Sequence, residues 1–233
     1  MLIKRPSDAR GKAEFGWLYS RHTFSFGQYR DPDFMGYGPL RVINEDRVQP
    51  GHGFGEHGHQ DMEIISYVID GALEHKDSLG NGSVIKPGHV QRMTAGTGVR
   101  HSEFNPSSTD SVHFLQIWIV PNQDGLEPGY EEAILDTSTK HNQLRLIGSG
   151  TGADGAVWIH QDVDIFASVL DAGEQIEHLF RDDRLGWLQI IRGEVHAKGE
   201  TLSAGDGLAI QDESILRIAP NEDAEFLLFD MGR

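Results

Sequence analysis

The sequence predicts an all-β protein whose short strands pack as sandwiches or barrels, and three observations carry that prediction. The first is a set of short segments rich in β-branched and aromatic residues: Met62 to Ile69, Phe114 to Val120, Trp187 to Ile191 and Phe226 to Phe229, each bounded by Gly, Pro, Asn or Asp. The second is turn chemistry, since 28 glycines punctuate the chain and Asp70-Gly71, Gly80-Asn81-Gly82 and Pro87-Gly88 fall between strand-like runs. The third is a diverged internal repeat: Val68-Ile69-Asp70-Gly71 recurs as Ile190-Ile191-Arg192-Gly193, and Pro87-Gly88 recurs as Ala204-Gly205. Apolar strands ending in glycine also arise independently in all-β proteins, and the spacing of the two matches differs by five residues, which a shortened hairpin absorbs. Many short strands with frequent turns suit closed or two-layered β architectures.

Taken along the chain, these elements divide into two units, residues 1–140 and 141–233, joined through a connection from Asn122 to Lys140. The stretch Tyr130 to Ile134, following Pro128-Gly129, is the one place near the middle where a short helix is expected. The charge run Arg181-Asp182-Asp183-Arg184 reads as a solvated loop, and Trp17, Trp118, Trp158 and Trp187 read as core residues.

Composition excludes several function classes. No apolar run approaches the roughly 18 residues of a membrane span, and Met1 to Glu14 is too charged for a secretory signal. A cytoplasmic location without membrane attachment is the expectation. The formal net charge of −16, with no compensating Lys and Arg cluster, repels phosphate backbones and argues against nucleic-acid binding. Without cysteine there is no disulfide, no thiolate ligand and no cysteine nucleophile. Any metal must be held by nitrogen and oxygen.

The chemistry concentrates in His57-Gly58-His59 and His101-Ser102-Glu103. Residues at i and i+2 of a strand share a face, so each string aims two side chains inward, and two neighbouring strands would present four ligands. Imidazole and carboxylate suit a first-row transition ion, and four ligands in an octahedral shell leave two positions for reactants. One His-x-His is weak in a chain with 12 histidines, whereas the combination with Glu63 four residues on and a later His-x-Glu is specific. On parity alone Glu63 and Glu103 are both candidate carboxylates. The other histidines, among them His22, His75, His113 and His178, have no partner at ligand spacing and read as ordinary polar residues. His113 and Gln116 stand out slightly, because their strand could line the interior near the metal.

At these residues the sequence resembles a known family. Gly51, His57, His59, Glu63 and the turn glycine Gly71, followed by Gly98, His101 and Asn105, resemble the two motif halves of cupin barrels. Gly71 falls one residue late, and Gly96 replaces the proline of the second motif. Those departures, with His22-Thr23-Phe24-Ser25-Phe26, Leu40 to Asp46, Met93-Thr94-Ala95-Gly96 and His101-Ser102-Glu103, look like the pirins, and specifically the bacterial pirin-like proteins with quercetin 2,3-dioxygenase activity. The resemblance covers essentially the whole chain. It implies two cupin barrels in tandem, each a double-stranded β-helix or jelly roll, the C-terminal one degenerate and metal-free.

The resemblance further implies one divalent transition metal held by His57, His59, His101 and Glu103, with iron the first choice and manganese, nickel, copper or zinc also fitting. Glu103 would double as catalytic base, and Glu63 would orient a metal histidine. The implied reaction is cleavage of a flavonol by O2 with release of carbon monoxide, carried out by a monomer. The alternative is a metal-containing regulatory protein that binds a protein partner without turnover. Offsets within the repeat place Leu179 and Arg181 opposite His57 and His59, and Ile218 and Pro220 opposite His101 and Glu103, so the metal is expected in residues 1–140 only.

Overall fold

Two β-sandwiches of the same design stand in tandem in a computed structural model that describes residues 1–233. In the first, a seven-stranded sheet runs in the order Gly129–Ile134, His89–Thr94, Glu63–Asp70, Val112–Ile119, Leu40–Val48, Leu18–His22, Gly11–Glu14. A four-stranded sheet, Gly53–His59, Val99–Phe104, Leu73–Asp77, Gly82–Ile85, closes over its inner face. The second sandwich has seven strands ordered Leu2–Arg5, Gly207–Gln211, Arg184–Arg192, Ala224–Gly232, Val163–Leu170, Arg145–Ser149, Val157–Trp158. Its smaller sheet is Ile176–Leu179, Ile215–Pro220, Glu194–Ala197, Glu200–Ser203, the same order as its counterpart. The repeat seen in the sequence is therefore a repeat of topology. Gly71 and Gly193, which mark it, both take positive φ (78° and 73°), and a Cβ at either would strike the backbone of the neighbouring loop.

The strand-like runs lack polar alternation because both of their faces are buried. On Glu63–Asp70, Ile65, Tyr67 and Ile69 face the other half and pack with Ile147, Ile165, Leu227 and Phe229 in one shared core cluster. Ile64 and Val68 instead face their own sandwich. The two interiors differ in kind. That of the C-terminal half is one apolar cluster of 15 buried residues, including Leu188, Ile190, Leu216, Ile218 and Phe226. That of the N-terminal half is split into two small apolar clusters, with buried polar residues such as Ser66, His75, Gln91, His101 and Glu103 among the strands that carry them.

Four expectations are corrected. Tyr130 to Ile134 is an edge strand paired with His89–Thr94, not a helix. The unit 1–140 loses its first strand to the other half, because Leu2–Arg5 pairs with Gly207–Gln211 from Leu2 opposite Ile210 to Arg5 opposite Gly207. The charge run is only partly solvated: Arg184 is buried and bonds Asp162 and Asp230. Of the four tryptophans only Trp187 is fully enclosed, and Trp158 is about half exposed. No helix is long and apolar enough to cross a membrane.

Candidate metal centre

The centre forms where Gly53–His59 pairs antiparallel with Val99–Phe104, which sets His101 directly opposite His57. The alternation of the first strand brings His59 to the same face, and donor atoms of His57, His59 and His101 lie within 4.8 Å of one another. A register shift between His101 and Glu103 displaces the carboxylate from the strict pairing. Glu103 falls in a second group within 4.8 Å, with His75 and with His101, the one residue the two groups share.

Each imidazole in the triad has a bare nitrogen to offer. His57 donates its Nδ1–H to the Gly55 carbonyl at 2.8 Å, which leaves the Nε2 lone pair free to face His101 Nε2 at 3.1 Å. His59 Nε2 is buried with no hydrogen-bond partner. Burial, followed by the nearby His57, lowers the pKa of His59 to about 4. Burial, followed by His57, His59 and His75, lowers that of His101 to about 3. Imidazoles whose ring nitrogens converge in this way are the donor set a divalent ion completes.

Glu103 is buried and accepts from Gln116 Nε2 at 3.3 and 3.2 Å and from Ser66 Oγ at 3.3 Å. Burial raises its pKa to about 7, opposed by the Gln116 bond, helped by nearby Asp46 and opposed again by Ser66. Burial thus favours the protonated form of this carboxyl more than water would, which suits a group that is to accept a proton. Of the two residues singled out on their strand, Gln116 reaches the centre, while His113, on the opposite face, bonds Glu45 at 2.9 Å.

Sequence reasoning missed His75. It is fully buried, its Nδ1 lies 3.2 Å from Gln91 Nε2 and its Nε2 lies 3.1 Å from Asp77 Oδ2. With Gln91 donating, His75 carries its proton on Nε2 and donates to Asp77, and its Nδ1 faces His101 Nδ1 at 3.5 Å. The chain Asp77–His75–His101 is the carboxylate–histidine arrangement that orients a ligating imidazole. Its sequence signal was His75-x-Asp77, the same i, i+2 spacing as His101-x-Glu103.

The role expected of Glu63 does not survive. Glu63 is fully buried but faces the other half, where its carboxylate meets His160 Nδ1 at 3.3 Å and the His160 backbone N–H at 3.4 Å, with Arg92 at 3.9 Å. None of these partners is a centre histidine. Asp61, at φ 48°, turns the chain between His59 and Glu63, so the parity of one strand does not carry into the next.

A cavity of about 500 Å³ opens beside the centre, lined by His57, Glu103, Gln116 and Trp118 and by apolar Phe15, Phe26 and Phe54. Trp118, expected in the core, belongs to this wall, with its ring edge-on to His59 at 4.9 Å between centroids.

The strand registers also correct the positions assigned in the C-terminal half. His178 pairs with Leu216 as His57 pairs with His101, and Ala197 pairs with Ile218 as His75 pairs with Glu103. The four counterparts are therefore His178, Phe180, Leu216 and Ile218. Three cannot ligate, and His178 is bonded to Asp230 at 2.8 Å.

A pirin profile matches residues 4–119, and a quercetinase C-terminal cupin domain matches residues 146–231. The chain belongs to the pirin family. This pirin is 46% identical over 231 residues to a quercetin 2,3-dioxygenase of Escherichia coli (strain K12), covering 99% of each chain. It is 39% identical over 231 residues to a pirin-like protein of Caulobacter vibrioides, again covering 99% of each. Among solved structures, the bacterial pirin YhhW from Escherichia coli in complex with nickel(II) superimposes with a TM-score of 0.95 at 44% identity, covering 100% of this chain and 99% of that one. The tandem cupin architecture expected from the sequence is that of the family.

Proposed function

We propose that this pirin is a metal-dependent dioxygenase that cleaves a flavonol such as quercetin with O2: both oxygen atoms enter the ring-opened product and one carbon leaves as carbon monoxide. The observation that carries the reading is a cluster of three imidazoles, His57, His59 and His101, beside a cavity of about 500 Å³ whose wall includes His57 and the buried carboxyl of Glu103, a volume within the range that encloses small organic ligands. The Escherichia coli relative named for this activity supports it. His57, His59, His101 and Glu103 would hold the ion, for which iron, manganese, nickel, copper and zinc all suit nitrogen and oxygen donors. A bound divalent cation supplies Lewis acidity at the flavonol hydroxyl.

The side chains do the rest. Glu103 takes the proton of that hydroxyl, and Gln116 and Ser66 hold the carboxylate in place while it does so. Trp118, Phe26 and Phe54 give the planar substrate an apolar wall and exclude water. The test is metal analysis followed by oxygen uptake and carbon monoxide release across a flavonol panel. Turnover dependent on metal supports the enzyme. A fully metallated but inert protein overturns it in favour of a regulatory role through a protein partner.

A further inference from the structure

Unpartnered polar groups line the same cavity away from the triad. Asn44 and Asp46 sit on the inner face of Leu40–Val48, and His22 sits opposite Asn44 on Leu18–His22. All three are more than nine-tenths buried, and Asn44 Oδ1, Asp46 Oδ1 and His22 Nδ1 have no hydrogen-bond partner. Registers join them to the centre: Ser66 lies opposite Gln116, Gln116 opposite Asn44, and Asn44 opposite His22, a polar row across four adjacent strands. Glu103 rests on the Ser66–Gln116 end of this row. At about 4.8 Å per strand, the row continues roughly 10 Å from Gln116 to His22, a distance comparable to the length of a fused aromatic ligand.

Buried acceptors left without donors are costly unless a ligand satisfies them. Two carbonyl-type oxygens and an imidazole nitrogen, walled by Phe26 and Trp118, call for hydroxyl donors on a flat apolar frame. We propose that Asn44, Asp46 and His22 form a second polar subsite that receives phenolic hydroxyls on the part of the substrate not held by the triad, so that the protein selects polyhydroxylated aromatic substrates. The inference rests on the flavonol reading above and deepens it.

Equilibrium binding under anaerobic conditions separates the two ideas, because no turnover intervenes. The metal-loaded protein is titrated with quercetin and with the parent flavonol, which carries the reacting hydroxyl and no other. Wild type binds quercetin at least about 10-fold more tightly, the worth of one or two net hydrogen bonds. In Asp46→Leu and Asn44→Leu that ratio falls toward one. Asp46→Asn, closest in shape, reads the same ratio should the leucine variants not fold, and is expected to fall between the two. Equal affinities in wild type, or a ratio unchanged in the folded variants, overturn the subsite while leaving the flavonol reading intact. Failure of wild type to bind either compound overturns both.

Discussion

His75 stands directly opposite Glu103 in the pairing of Leu73–Asp77 with Val99–Phe104, and neither side chain is open to solvent. The imidazole that the sequence left unassigned thus sits beside the carboxyl it singled out. Replacing His75 with Phe keeps bulk and removes both the bond to Asp77 and the polar contact with His101. Metal affinity is expected to fall roughly 10- to 100-fold, the usual cost of losing a group that orients a ligand. Competition with a chelator of known affinity measures it, and unchanged affinity would show that His75 only fills space.

The four candidate ligands were legible because their spacing is a local property of strands: His57 and His59, like His101 and Glu103, share a face by two-residue periodicity. Parity failed wherever it had to cross a turn. Glu63 belongs to the strand after the Asp61 turn and faces the opposite layer. Long-range pairing was equally hidden, since nothing in Leu2–Arg5 announces a partner at Gly207–Gln211. The apolar runs were read correctly as strands for a physical reason, burial on both faces. Tyr130 to Ile134 was misread because an edge strand shows less of that burial.

Replacement of Glu103 with Gln separates holding the metal from accepting a proton. An oxygen remains, but the negative charge and the proton acceptor are lost. Oxygen uptake with quercetin is expected to drop by about 100-fold or more, and metal content by much less. His57→Ala or His101→Ala deletes a donor, and metal and activity should vanish together. Retention of both metal and rate in Glu103→Gln would remove Glu103 from the chemistry.

The buried carboxyl of Asp46 sets a pH dependence on folding. Burial raises its pKa from 3.8 to about 7, against a bond from Ser20 and with help from Glu45. The folded state therefore binds this proton more tightly than the unfolded chain, so the stabilisation is complete below about pH 4 and is lost as pH rises toward 7. Asp46→Asn is neutral throughout. Urea denaturation of the metal-free proteins should show the variant gaining on wild type across that window and then levelling. A difference that stays constant with pH would contradict this; the difference between the two proteins isolates Asp46, because the other shifted groups, Glu103 and the buried histidines among them, titrate in both.

Glu63 gives a prediction of the opposite kind to Glu103. It joins the halves through His160, with Arg92 of its own half alongside, away from the triad. Glu63→Gln should keep full metal occupancy and lose about 1–3 kcal/mol of stability, because it disturbs a buried polar junction. Metal analysis and thermal unfolding of one preparation decide the matter, and loss of metal at unchanged stability would restore Glu63 to the centre.

The C-terminal half should take up no ion at all. Its counterparts to the four candidates are His178, Phe180, Leu216 and Ile218, by registers that repeat pair for pair. Leu216 and Ile218 are fully buried in an apolar interior. His178, the one nitrogen donor, is engaged by Asp230, and the bonds from His178 and Arg184 hold Asp230 below the usual carboxylate range despite its burial. A lone imidazole tied to a carboxylate in an ion-paired cluster lacks the further donors a transition ion needs. Elemental analysis should therefore return one metal per chain, and His178→Gln should leave that figure unchanged. His57→Ala combined with His101→Ala should bring it to zero. A second equivalent of metal, surviving that double replacement, would place a site where the register leaves no room for one.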